Sequence, residues 1–76
     1  MTTKVLLTNA PVKIVTAENW ALLSSTSGID FKIHVGATVS SVDAFHLIRE
    51  IGFGVGVTVW AWTDGVTPVY VNVSQG

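Results

Sequence analysis

The chain has no cysteine, only two prolines and only nine charged residues among its 76. Without cysteine no disulfide can staple a small fold, and no thiolate can join a zinc cluster. Four Lys/Arg against five Asp/Glu leave a net charge of −1. The cations are scattered, so they cannot neutralise a row of phosphates, and a nucleic-acid partner is excluded. Long apolar runs are missing as well. Residues 51–59 are apolar but broken by glycine, far below the roughly 20 residues of a membrane span. The first eight residues hold one lysine and no apolar stretch of signal-peptide length. These absences predict no membrane partner, and a protein that works where it is made or travels as part of something larger.

The shortage of charge carries an expectation of its own. Charged residues are 12% of the chain, about half the usual quarter, whereas the apolar share is ordinary. A domain of 8.1 kDa has a large surface to keep wet, roughly 4,500 Å² of the roughly 11,700 Å² its unfolded chain exposes. Isolated soluble domains use charge for that purpose. Here Thr, Ser, Asn and Gly must serve, or part of the surface is covered by other copies or partners.

Thirteen valines and nine threonines are β-branched, stiff at χ1 and suited to a pleated surface. Alternation marks the strands. Residues 12–16 follow Pro11, as at a strand start or edge, and residues 20–24 follow the turn-like Ala17-Glu18-Asn19. After the polar loop 24–28, residues 29–35 alternate without a break. That pattern predicts Ile29, Phe31, Ile33 and Val35 toward a core and Asp30, Lys32 and His34 outward. Residues 57–63 and 69–73 are two further strands. Asp64-Gly65 signals a turn, and the link 64–68 fits a hairpin with a longer loop. The expected fold is all-β: one domain over 1–76, a small β-sandwich or partly open barrel of five to six antiparallel strands. Residues 1–10 are expected as an extended N-terminal arm.

Residues 40–52 admit two readings. Ser40 with Asp43 three residues on, then Val42, Phe45, Ile48 and Ile51 at near-helical spacing and Gly52 at the end, describe a short helix near 41–51. The competing reading is a strand over 44–48 followed by a turn. Beyond it, Gly52, Gly54 and Gly56 alternate with Phe53, Val55 and Val57. One side of that segment is therefore bare, which suits close approach or a bulge. A valine-rich strand follows, where a phosphate loop would need a helix N-terminus.

No residue pattern points to catalysis, and no catalytic, cofactor-binding or metal-binding residue is assigned. His34 and Asp30 share a strand face but lie about 13 Å apart along it, and only the fold could bring His46 near either. Each carboxylate has a simpler role: Asp64 in a turn, Glu18 before a strand, Asp43 near a cap, Glu50 beside Arg49. The aromatic residues are more informative. Trp60 and Trp62 share one face of a strand whose other face is Val57, Val59 and Ala61, so both faces are apolar. One belongs to a core; the other needs a cover, from a second sheet or a neighbouring subunit. Trp60, Trp62 or Tyr70 could alternatively serve as a stacking platform for sugar rings, and the β-rich ends could pair with a partner's sheet edge.

Taken together, Ala44-Phe45-His46-Leu47-Ile48, then Gly56-Val57-Thr58-Val59-Trp60-Ala61-Trp62, a short Asp-Gly loop and Val69-Tyr70-Val71-Asn72-Val73 resemble small accessory virion proteins of tailed bacteriophages. The resemblance spans residues 12–74 and is one of strand spacing. It implies a β-rich, non-enzymatic, oligomeric subunit, with no cofactor, and favours the strand reading of 44–48. It further implies a head decoration or cement protein, with a tail or fibre accessory subunit as the alternative, made in the host cytoplasm and located in the virion. The implied partners are copies of the chain, as trimer, pentamer or hexamer, and other virion proteins such as the major capsid protein. Trp20, Phe53, Trp62 and Tyr70, large and near predicted loops or outer faces, are the expected interface residues.

Overall fold

A computed structural model describes residues 2–39, 41, 43–66 and 68–76. Its eight strands are β1 (Thr2–Leu7), β2 (Val12–Val15), β3 (Ala21–Ser25), β4 (Phe31–Val35), β5 (His46–Ile48), β6 (Glu50–Phe53), β7 (Val59–Trp62) and β8 (Val69–Gln75). They form two four-stranded antiparallel sheets, in the order β1-β8-β3-β6 and β2-β7-β4-β5. Among consecutive strands only β4 and β5 pair; every other link carries the chain to the opposite sheet. This is the strand order of an eight-stranded jelly roll, a double-sheet all-β architecture. No helix occurs among the described residues.

Period-two alternation decides which side chains enter the layer between the sheets. Val69, Val71 and Val73 of β8 point inward, and Tyr70, Asn72 and Ser74 outward. Leu7, Ala21 and Leu23 of one sheet and Ile14, Val15, Phe31, Ile33, Val59 and Ala61 of the other complete a single apolar cluster, flanked by Val5, Ile48, Ile51, Phe53 and Val57. A bulge between Lys13 and Val15 lets Ile14 and Val15 both be buried, where strict alternation would expose one. The exposed area of 4382 Å² matches the roughly 4,500 Å² of a folded monomer of this mass. The chain therefore closes its own core.

Several sequence expectations need correction. There are eight strands rather than five to six, partly because residues 2–7 are not an arm. β1 runs antiparallel to β8 from Thr2↔Ser74 to Leu7↔Val69 and contributes Leu7 to the core. The helix near 41–51 gives way to strands β5 and β6, as the strand reading of 44–48 had it, though β5 begins only at His46. Two positions of the helix reading, Ser40 and Val42, lie outside the described residues. β5 and β6 belong to different sheets, and Arg49 between them is the corner, since a bend lets a strand switch layers. The Arg49 carbonyl accepts from the Ser25 amide at 2.9 Å.

The link 64–68 is likewise not a hairpin: β7 and β8 lie in different sheets. Asp64-Gly65 does turn the chain, with the Val66 amide donating to Asp64 Oδ1 and the Gly65 amide to Thr63 Oγ1. A turn signal is the same for a hairpin as for an arch between layers, so local chemistry could not distinguish them. Gly65 is required there, because its φ is 80° and an added Cβ would stand 3.0 Å from Asn9 Cβ. Finally, Phe31 and Ile33 are buried as expected, whereas Ile29 and Val35 are exposed; they sit before and at the end of β4, where the opposite layer no longer covers them.

The placement of β1 gives a direct test. Leu7 is 2% exposed, so Leu7→Ala is expected to lower stability by about 2–5 kcal/mol in urea titrations followed by circular dichroism. An unattached arm would show almost no change.

Candidate functional site

The sandwich presents two broad outer faces, and every candidate residue belongs to one of them or to the core. On the β2-β7-β4-β5 sheet, register sets Lys13 opposite Trp60, His34 opposite Trp60, and Lys32 opposite Trp62 and Leu47. Trp62 points outward yet is only 2% exposed. Its cover is neither the second sheet nor another subunit but the chain's own β4–β5 connection. Phe45 sets its ring edge-on to Trp62, with centroids 6.1 Å apart and planes at 76°, the geometry aromatic quadrupoles favour. Lys32 Nζ stands 4.7 Å from the Phe45 centroid on that face. Trp60 is half-buried, and its indole N–H donates to the Gly36 carbonyl at 3.1 Å. Lys13 Nζ lies 5.7 Å from its ring.

The β1-β8-β3-β6 sheet is different. Its outward residues form rows across four strands: Thr2, Ser74, Leu22, Gly52; then Lys4, Asn72, Ser24, Glu50; then Leu6 beside Tyr70. Thr2 and Ser74 hydroxyls are 2.7 Å apart, and Lys4 Nζ is 5.8 Å from the Tyr70 centroid. Among the described residues no second ring packs against Tyr70 as Phe45 does against Trp62. Trp20 precedes β3 and continues its ladder, exchanging backbone hydrogen bonds with Gly76. An added Cβ at Gly76 would overlap the Trp20 indole, 2.6 Å from Cε2. Trp20 is 47% and Tyr70 43% exposed, with Leu6 and Leu22 comparably open.

Of the four residues expected at an interface, Trp20 and Tyr70 are therefore at the surface, on one sheet. Phe53 packs against the core and Trp62 lies beneath Phe45. Leu6 and Leu22 were not singled out from the sequence. Only the pairing of β1 with β8 and of β3 with β8 places them beside Tyr70 and Ser74. The bare side expected at Gly52, Gly54 and Gly56 is real only at Gly52, where Leu22 lies across it. Val55-Gly56 instead forms the turn before β7, tied by the Gly56 amide to the Ala17 carbonyl.

The polar groups stay dispersed. His34 and His46 border one shallow hollow with Val35, Ala44 and Phe45. Among the described residues no group of three or more His, Asp or Glu converges as metal ligands. Asp30, Lys32 and Asp64 border one hollow of about 220 Å³. Each carboxylate has an oxygen engaged, Asp30 Oδ1 by Arg49 Nε at 2.9 Å and Asp64 Oδ1 by the Val66 amide. Arg49 thus pairs with Asp30, not with its neighbour Glu50. Among the described residues no buried side-chain nitrogen or oxygen lacks a partner. A larger hollow of about 340 Å³ between the β1–β2 and β7–β8 links is walled by Leu6, Thr8, Asn9, Asp64, Val66 and Pro68.

No protein-family model matches the chain, and no curated protein or solved structure matches it significantly.

Two outcomes follow from this geometry. In a chain whose only tryptophan is Trp62 (Trp20→Phe, Trp60→Phe), Phe45→Ala is expected to red-shift the emission, open Trp62 to acrylamide quenching and cost about 1–2 kcal/mol. Asp30→Asn breaks a pair whose side chains are 64% and 40% exposed; solvent screening limits the expected loss to below about 1 kcal/mol, shrinking further in high salt when measured by denaturation.

Proposed function

We propose that the chain is a non-enzymatic structural subunit of a tailed-phage virion, working in multiple copies as a head decoration or cement protein against the major capsid protein. One observation carries this reading. Among the described residues eleven large apolar side chains are exposed, more than the nine charged residues of the whole chain. A domain that must stay alone in water is built the other way round. A surface this rich in apolar side chains and poor in charge gains stability by being covered, and a particle offers many symmetry-related places to cover it. In such a setting small contacts add up, since each one formed raises the effective concentration for the next.

Two further points support it. The residue pattern over 44–48, 56–62 and 69–73 resembles accessory virion proteins. The jelly-roll strand order is an architecture of viral capsid domains, an argument from fold alone. The sugar-binding alternative is weakened by geometry: Trp62 is covered by Phe45, and Tyr70 is on the opposite sheet from Trp60. Trp60 or Tyr70 would have to serve as a platform alone.

The test is mass spectrometry of purified tailed-phage particles from the source of this chain, separated into heads and tails. The expected result is the chain in the head fraction at a fixed ratio to the major capsid protein. A fixed ratio in the tail fraction would make it a tail accessory instead. Absence from both would overturn the reading.

A further inference from the structure

The two outer faces differ in one respect that matters for self-association: how charge is laid out across them. On the β2-β7-β4-β5 face the register rows carry Lys13 on β2 and Lys32 on β4, with His34 two residues beyond Lys32 on the same strand and no carboxylate within the rows; Asp30 and Asp64 border Lys32 only at one end of the sheet. Within those rows a face-to-face contact has cations but no anion to set against them. The β1-β8-β3-β6 face has one cation and one anion, and they occupy the two ends of a single row: Lys4, Asn72, Ser24, Glu50. Three strand spacings, roughly 14 Å, separate Lys4 from Glu50 in one copy, so they cannot pair with each other. Among the described residues neither has another ion-pair partner; Arg49, beside Glu50, is held by Asp30.

From this layout we infer that the outer face of the β1-β8-β3-β6 sheet docks against the same face of a second copy, about a two-fold axis running along the strands between β8 and β3. The inference rests on the assembly reading above and names the surface that serves it. Such an axis reverses the row, so that Lys4 of each copy meets Glu50 of the other and two ion pairs form at the rim. An axis across the strands would place Lys4 over Lys4 and is disfavoured by charge. Along the chosen axis the large exposed side chains of the central strands, Leu22 and Tyr70, fall next to it, with Trp20 beyond Leu22 in the same strand direction. Apolar anchors near the centre and charges at the rim are the arrangement of specific interfaces. Thr2, Ser24, Asn72 and Ser74, short and neutral, fill the remaining positions without adding an unpaired charge.

Size sets the expected strength. A face four strands wide and six to seven residues long covers on the order of 400 Å² in projection. That places the contact at the small, weak end of specific interfaces. It should therefore depend on concentration in solution and become firm only when repeated on a particle.

The experiment is sedimentation velocity across a concentration series from about 10 μM to about 1 mM, the range in which contacts of micromolar to millimolar affinity form. The wild-type chain should rise toward about twice its 8.1 kDa mass. Lys4→Glu and Glu50→Lys should each hold the chain at monomer mass, because each sets like charges against one another twice. An equimolar mixture of these two variants should associate again, since every cross-pair is then opposite in sign, and the double variant should self-associate as the wild type does. Lys13→Glu, on the other sheet, should leave the association unchanged. Circular dichroism and tryptophan emission of each variant establish that it is folded. If the wild type self-associates but the Lys4 and Glu50 variants do so equally well, this face is wrong while the assembly reading stands. If the wild type stays monomeric throughout the range, this docking falls, and if the chain is also absent from particles, the assembly reading falls with it.

Discussion

The apolar layer between the two sheets is the constraint on which everything else depends. Strands of three to seven residues give each sheet one inward face of only two to four side chains per strand, too little to be stable alone. Val59 and Ala61 of β7 and Val69, Val71 and Val73 of β8 occupy interior strands of opposite sheets and belong to one buried cluster. To bring such short strands together, the chain crosses between layers at six of its seven links. The corner at Arg49, the arch at Asp64-Gly65 and the pairing of β1 with β8 all serve that crossing. The core is made mostly of valine and alanine with a few larger apolar residues, and the sheets close on it without a disulfide and, among the described residues, without a helix.

Once the inner faces are committed, the outer ones are free to differ. The β7 strand carries tryptophan on its outer side, and a connection of ten residues between β4 and β5 is long enough to return Phe45 over Trp62. All three lysines stand within 6 Å of an aromatic ring centroid, where about one such contact is usual in a chain of this length. The few cations are thus drawn onto aromatic surface rather than spread as a solvating shell. The other face keeps its rings and leucines open and its two charges at opposite edges, the feature that makes it self-complementary.

Much of the fold was legible because period-two alternation is a local property. Phe31 and Ile33, the valines of β8, and Val59 with Ala61 all lie where alternation places them. The number of strands was underestimated for a physical reason. β1 is a set of ordinary residues whose strand character comes from the β8 edge it pairs with, and β5 and β6 are too short for periodicity to separate strand from helix. The misread hairpin has the same cause: pairing between strands is set by the whole sandwich, not by the turn between two of them. At the outer faces, Trp20 and Tyr70 could be singled out by size, but Trp62 could not be known as covered. Its cover, Phe45, is seventeen positions away in the sequence and arrives only through the β4–β5 pairing.

Composition and alternation by themselves determined that this is one small all-β domain, poor in charge, without cysteine chemistry, with two-sided strands that set valines on one face and polar or aromatic residues on the other. They could do so because side-chain chemistry and backbone period act between near neighbours. Which strand pairs with which, which tryptophan is buried, and that Lys4 and Glu50 end one row were decided only by the tertiary structure. Those relations join residues up to 72 positions apart, as in Thr2↔Ser74, and nothing in a local stretch of chain encodes a distance that long-range packing alone creates.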